Sequence, residues 1–430
     1  MKMTVAKRIE YGRKMLQSYQ RKAKKGPRMV LFTGGTGSRF LARELRRYTH
    51  NASYIINTAD SGGSTRELRL LFKMPAIGDF RSRLLDLAQE RSTADLLHYR
   101  LPRDRTQAEL ENEINDLVTG RHKLVQAIID TMEDGSSKAL IIMDALRRFQ
   151  AQRFVYEREN ECKFNLKNAS IGNLFLTGLY LHYGRDLETP IYFYKQLAEV
   201  KGNVIPATLD YVHLAAIMGD GTTLYGQHRI TQSNLGRPTD LWYVDSDKYG
   251  ARDLVPEVNL RALEEIRKAQ LIVYSMGSFY TSILSNLKID GITEAIRKSR
   301  VPKVFIANSV EDEETKGMSV GRMAKEIIRV SQNRDGFNGK ETDYLTHVIA
   351  NDFPEKAPVF NGKYGGRFGF LSSQTKGLNR GIEIIKMLLV NEKLAKRYKA
   401  GRLKKERELN ELKKYDNQLL ARLLFSFIKD

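Results

Sequence analysis

The chain has 430 residues, 41% of them hydrophobic and 28% charged; that length suits two to three domains or one large α/β core with additions, and the composition argues against wholesale disorder. A lone cysteine, Cys162, excludes an internal disulfide, a thiolate zinc cage and an iron–sulfur centre, and points to a reducing compartment. The formal charge of +20 admits nucleic acid, an anionic membrane face or phosphorylated small molecules as partners.

Residues 1 to 28 carry ten basic side chains against one acidic. Val5, Ile9, Met15, Leu16 and Tyr19 fall near one face, which predicts a basic helix. The opening MKMTVAKRIEYGRK is charged where a signal peptide is apolar, and no apolar run approaches the ~20 residues of a membrane span, so a cytoplasmic protein is expected. After Arg28, MVLFTGGTGSRFLARELRRY reads as strand, glycine-rich turn and amphipathic helix. A second strand is expected at Tyr54 to Asn57, followed by the small-residue loop TADSGGSTRELR, which gives a βαβ unit of a parallel sheet covered by helices.

Residues 86 to 160 predict a helical insertion, with Leu110, Ile114 and Leu117 on one helix, Leu124, Val125, Ile128 and Ile129 on a second, and Ala139 to Phe149 on a third. SIGNLFLTG opens another apolar helix. Val204 to Ile230 alternates around Gly219, Asp220 and Gly221 as a hairpin would. Strands return at Leu271 to Tyr274, before the loop SMGS, and at Val304 to Ala307, before a loop that begins at Asn308; the helical stretch ITEAIRKS lies between them. In residues 391 to 430, twelve basic and six acidic side chains accompany Leu409, Leu412, Leu419, Leu420, Leu423, Leu424 and Phe427 at helical spacing. The central 362 residues therefore carry only +5 of the charge. The basic ends read either as helices packed on the core with a solvated face or as a docking surface for RNA, lipid or a protein partner; with the excess confined to the ends, nucleic acid is not the leading expectation.

Thr33, Gly34, Gly35, Thr36 and Gly37 lie between a strand and a helix, where glycines let the backbone approach a phosphate and the helix start offers N–H groups. Neither G-x-G-x-x-G nor G-K-[ST] is present. Asn57, Thr58 and Asp60 follow the neighbouring strand; Asp60 suits either Mg²⁺ beside a diphosphate or the cap of the next helix. Asp79 in AIGDF is a helix N-cap or a site residue, and Asn173 caps its helix or offers an amide to a base or sugar. Arg66, Arg69, Arg81 and Arg83 either clamp phosphate or face water. Met276, Gly277, Ser278 and Thr281 form another glycine- and hydroxyl-rich turn, so several such loops are expected on one sheet edge. The seven histidines form no H-x-x-x-H or HExxH pair and no G-x-S-x-G elbow occurs, which speaks against a histidine metal site and a hydrolase triad. Trp242 and Cys162 read as packing or surface residues.

Taken in order, FTGGTGSRFLARELR, NTADSGGSTRELR, PAIGDFRSRLLDLA, SIGNLFLTGL, GNVIPAT and SMGSFYTSILSNLKIDGITEAIRKS resemble the family of 2-phospho-L-lactate transferase (CofD) and the gluconeogenesis factor YvcK. The resemblance implies an α/β fold with a Rossmann-like, doubly wound, mostly parallel sheet. Its transferase branch moves a phospholactyl-type group from a guanosine diphosphate donor to a deazaflavin with Mg²⁺; its YvcK branch binds UDP-sugars and supports growth on gluconeogenic carbon without an established reaction. Carried over by motif, Gly34, Gly35, Thr36 and Gly37 would cradle the diphosphate, Asp60 would hold Mg²⁺, and Asn57, Asp79, Asn173, Gly277, Ser278 and Thr281 would line the nucleotide and acceptor cleft, with Asp60 and Asp79 as the catalytic pair. A homodimer is also implied. This chain departs from the pattern in the second loop, where Asp60 precedes Ser61 instead of a second carboxylate, and in the turn Ser275, Met276, Gly277, Ser278, which replaces G-P-G-S; it reads as a divergent subgroup. The expected organisation is a basic helical extension at 1–28, a nucleotide-binding core at 29–350 with the insertion at about 86–160, and a loop region with a basic helical extension at 351–430.

Overall fold

The short apolar run Met29–Phe32 is buried at every position, as a strand covered on both faces must be. A computed structural model describes residues 3–131, 133–337, 339–353, 360–361, 367–400 and 406–428. Its strands in chain order are β1 (Met29–Phe32), β2 (Ala52–Ile56), β3 (Asn203–Pro206), β4 (His213–Ile217), β5 (Thr223–Tyr225), β6 (Asp240–Val244), β7 (Asp253–Leu254), β8 (Leu271–Tyr274), β9 (Lys303–Ile306), β10 (His347–Asn351), β11 (Phe360–Asn361), β12 (Arg367–Phe368) and β13 (Glu383–Met387).

A seven-stranded sheet runs β13-β10-β9-β8-β1-β2-β3, and the pairings from β13 through to β2 are all parallel. This is the doubly wound α/β architecture that the strand–loop–helix alternation predicts. A second sheet, β5-β4-β6-β7, is antiparallel, and β11 pairs with β12. The expected hairpin is thus narrower than Val204 to Ile230: β3 belongs to the large sheet, and only β4 and β5 pair across Gly219 to Gly221. Two further strands, β6 and β7, extend that hairpin into a sheet that alternation alone did not reveal.

The chain divides into two units. The first comprises Met1–Asn57, Ile205–Thr208 and Val212–Asp430. Within it the basic helix Val5–Tyr19, N-capped by Thr4, packs on the last helix, Asn417–Phe425, with the Tyr19 and Phe425 rings 6.1 Å apart. Arg8 pairs with Glu383 at 2.7 Å and its guanidinium lies 4.9 Å from the Phe427 ring centre. The second unit, Thr58–Val204 with Leu209–Tyr211, is helical. Its helices include Gln107–Val118, opened by a Thr106–Glu109 capping box, and the long Gly135–Glu159; Phe72, Phe149 and Phe164 stack edge to face in its core. Among the described residues no helix is long and apolar enough to cross a membrane.

Candidate functional site

In the first unit the sheet order turns back between β1 and β8, and the crevice outside the carboxyl ends of strands at such a reversal is where open α/β sheets hold ligands. The loop after β1 is held by Thr33, whose hydroxyl donates to the Gly34 carbonyl at 3.0 Å and lies 2.5 Å from Ser38 Oγ. Gly34 and Gly35 are buried, while Thr36 and Gly37 are exposed, and the helix Arg39–Leu45 starts directly afterwards. A Cβ on Gly37 would lie 2.6 Å from Gly277 Cα and 2.9 Å from the Met276 carbonyl oxygen. The loop after β1 and the loop after β8 therefore meet backbone to backbone, which only glycine permits. Gly277 itself has φ +144° and is clamped by Asn308, whose Oδ1 accepts from its N–H and whose Nδ2 donates to its carbonyl, both at 2.9 Å.

These loops frame a cleft of about 300 Å³ lined by residues that include Thr36, Gly37, Gly277, Ser278, Asn308 and Asp312. Asp312 Oδ1 accepts from the Glu314 N–H at 3.1 Å, and from the Thr315 N–H at 2.9 Å and hydroxyl at 2.7 Å. Burial, and then repulsion from Glu314, push its carboxyl up to about 7. Gly34, Gly35, Asn57 and Thr281 are not among the lining residues. Asn57 is buried and donates to the Tyr243 hydroxyl at 2.6 Å; Thr281 is buried and donates to Glu314 Oε1 at 2.6 Å. Both act on the frame of the first unit.

The second unit gathers the other expected residues. Asp60 Oδ1 accepts from the Gly62 N–H at 3.2 Å, and a Cβ on Gly78 would meet Thr65 Oγ1 at 2.4 Å and Asp60 Oδ2 at 3.0 Å. Asn173 Nδ2 donates to Ser64 Oγ at 3.1 Å and Thr65 Oγ1 at 3.4 Å, while its Oδ1 is buried without a hydrogen-bond partner. Burial, and then the charge of Asp79, raise the Asp60 carboxyl to about 7 against the pull of Arg69. The helix caps are Gly62, Ile77 and Ser170, so Asp60, Asp79 and Asn173 occupy none of these cap positions. Arg69 is buried and neither faces water nor points outward as a clamp: it donates to the Ala59 and Asp60 carbonyls at 3.2 and 2.8 Å and fixes the loop that carries Asp60.

A carboxylate whose proton affinity a neighbouring carboxylate raises, with an orphaned amide oxygen on the same unit, is a donor set that a divalent cation would relieve. Among the described residues no group of three or more His, Cys, Asp or Glu side chains could hold a metal, so a cation here would take two carboxylates and neutral oxygens, a common pattern for Mg²⁺.

Sequence reasoning did not single out Asn308, Asp312 or Glu314 as site residues, nor Lys413, Lys414 and Tyr415, which also line the cleft. The run of four acidic residues at 311–314 after β9 was the available signal for the second and third of these.

Residues 29–364 match the family described as 2-phospho-L-lactate transferase CofD. A Nostoc sp. protein is 28% identical over 346 residues, which are 79% of this chain and 61% of that protein, so the chain spans less than two thirds of that relative. The gluconeogenesis factor of Halalkalibacterium halodurans is 28% identical over 319 residues, 74% of this chain and 77% of its own. A crystal structure of a Bacillus halodurans protein superposes with a TM-score of 0.59 over 86% of this chain and 94% of that one, at 23% identity, a likeness of fold.

Proposed function

Because the chain belongs to the 2-phospho-L-lactate transferase CofD family, we propose that it binds a nucleoside-diphosphate-linked donor and transfers the terminal phosphorus-containing group to an acceptor hydroxyl. The observation that carries the reading is the backbone contact of Gly37 with Gly277 at the sheet reversal, with Asn308 fixing the loop that holds Gly277. It leaves a cleft whose walls at that point carry no bulky side chain, as close approach to phosphates requires. In the transfer, the acceptor oxygen bonds to the distal phosphorus and loses its proton, and the anhydride P–O bond breaks with its electron pair leaving on the nucleoside monophosphate. In the second unit, Asp60 and Asp79 would hold Mg²⁺, which supplies positive charge when bound. The chain's own share is positioning and electrostatics: exposed Thr36 and Gly37 place the donor, and Asn308 keeps Gly277 in its conformation.

A second reading, favoured by the likeness to the gluconeogenesis factor of Halalkalibacterium halodurans, is a regulator that binds a nucleotide sugar and performs no reaction. Both readings require the same ligand class. Thermal denaturation with GDP, GTP, UDP and UDP-sugars, each with and without Mg²⁺, is expected to show a Mg²⁺-dependent rise in Tm for at least one, because a ligand selective for the folded state stabilises it by mass action. Asp60→Asn should remove the Mg²⁺-dependent part. No rise with any diphosphate, or an unchanged Mg²⁺ response in the variant, refutes the assignment; product formation from the stabilising ligand separates transferase from regulator.

A further inference from the structure

One wall of the cleft beside the glycine turn comes from the far end of the chain, where Lys413, Lys414, Tyr415 and Asn417 line it. These residues lie beyond the 29–364 covered by the family match. The segment is pinned in place: the Tyr415 hydroxyl donates to the Ala307 carbonyl at 2.5 Å, Tyr415 bridges Val390, and the Asp416 N–H donates to the Leu389 carbonyl at 2.7 Å. It is thereby tied to the residue after β9 and to the chain after β13.

Charge gives the wall its meaning. Among the lining residues, Glu311 and Asp312 are acidic, and Lys413 and Lys414 are the two cations. The turn Thr33–Ser38 contains no lysine, whereas a P-loop supplies one from within its own glycine-rich sequence. A diphosphate entering beside two carboxylates alone would be repelled; two ammonium groups balance them. Lys414 is exposed, pairs with Glu411 at 2.5 Å and sits 5.6 Å from the Phe40 ring centre, and Lys413 is half-buried.

We propose that Lys413 and Lys414 bind the phosphate oxygens of the nucleoside diphosphate in this cleft, so that the C-terminal segment provides the cationic part that the glycine turn lacks. The inference rests on the reading of the cleft as a nucleoside-diphosphate site. The test is calorimetric titration of the full chain with GDP, UDP and their parent nucleosides, for wild type, Lys413→Gln/Lys414→Gln and Lys413→Arg/Lys414→Arg. The Gln pair should bind diphosphates about tenfold more weakly, the sum of two partly exposed ion contacts, with nucleoside affinity unchanged and most of the loss restored in the Arg pair. Equal diphosphate affinity in the Gln pair and wild type overturns the proposal and leaves the nucleotide reading standing. So does an equal loss for nucleosides and diphosphates, which assigns the lysines to the frame. A wild type that binds neither GDP nor UDP overturns both.

Discussion

Replacing Gly37 by alanine would place a methyl group 2.6 Å from Gly277 Cα, and the obstacle is backbone that cannot rotate out of the way. The expected cost is about 1–3 kcal/mol, the range for overpacking a close-packed site, together with loss of nucleotide binding because both loops must separate. Urea denaturation and the same titration check it; a variant with wild-type stability and affinity would show that the two loops do not need their close contact. The glycine turn was legible because glycines clustered between a strand and a helix have few other uses. Asn308 was legible only as the start of a loop. Its two bonds to Gly277 join positions thirty-one apart, a pairing that no local pattern encodes. The alternatives left open for Asp60, Asp79 and Asn173 could not be decided from spacing either, since cap and site readings ask for the same residue types.

The segment after Ser278, Phe279–Leu284, is wound as a π-helix, and the donors of its first turn are met by one acid. Glu314 Oε2 accepts from the Tyr280 and Thr281 N–H groups at 2.7 and 3.1 Å, and Oε1 from the Thr281 hydroxyl at 2.6 Å. Glu314→Ala would strand three buried donors, and the expected destabilisation is about 2–3 kcal/mol. Glu314→Gln, which keeps a carbonyl acceptor, should lose less; equal urea midpoints for the two variants would count against this role. Among elements, the parallel strands and the insertion helices could be read because each carries its own hydrophobic period. The tail could be read only in part. Its leucines share helical spacing, yet the structure breaks them into Glu406–Leu412 and Asn417–Phe425. Asp416 is the cap that restarts the helix, accepting from the Leu419 N–H at 3.0 Å. The residues in the break, 413–416, include the two lysines of the cleft.

At the scale of the molecule, the expected loop residues are shared between the units: Gly37 and Gly277, with Asn308, belong to the first, and Asp60, Asp79 and Asn173 to the second. Sequence order could not foretell this division, because the unit boundary falls between Asn57 and Thr58, inside a single motif. Protonation links the whole fold to one of these sites. The Asp312 carboxyl is pushed by burial from an ordinary 3.8 to about 7, so the unfolded chain releases this proton near pH 4 while the folded chain keeps it until about 7. Stability from this group is therefore present at low pH and is lost as pH rises across that window. Asp312→Asn should raise Tm relative to wild type more at about pH 7.5 than at about pH 4.5 without divalent cations; a difference independent of pH would contradict it. The partnership of the first and last helices has a temporal side. While the ribosome is still extending the chain, Val5–Tyr19 has emerged but its neighbour Asn417–Phe425 has not been made, and β1 lacks β8. The uninterrupted stretch Thr58–Val204 can condense as a unit during that interval, whereas the basic helix Val5–Tyr19 must wait for its neighbour Asn417–Phe425.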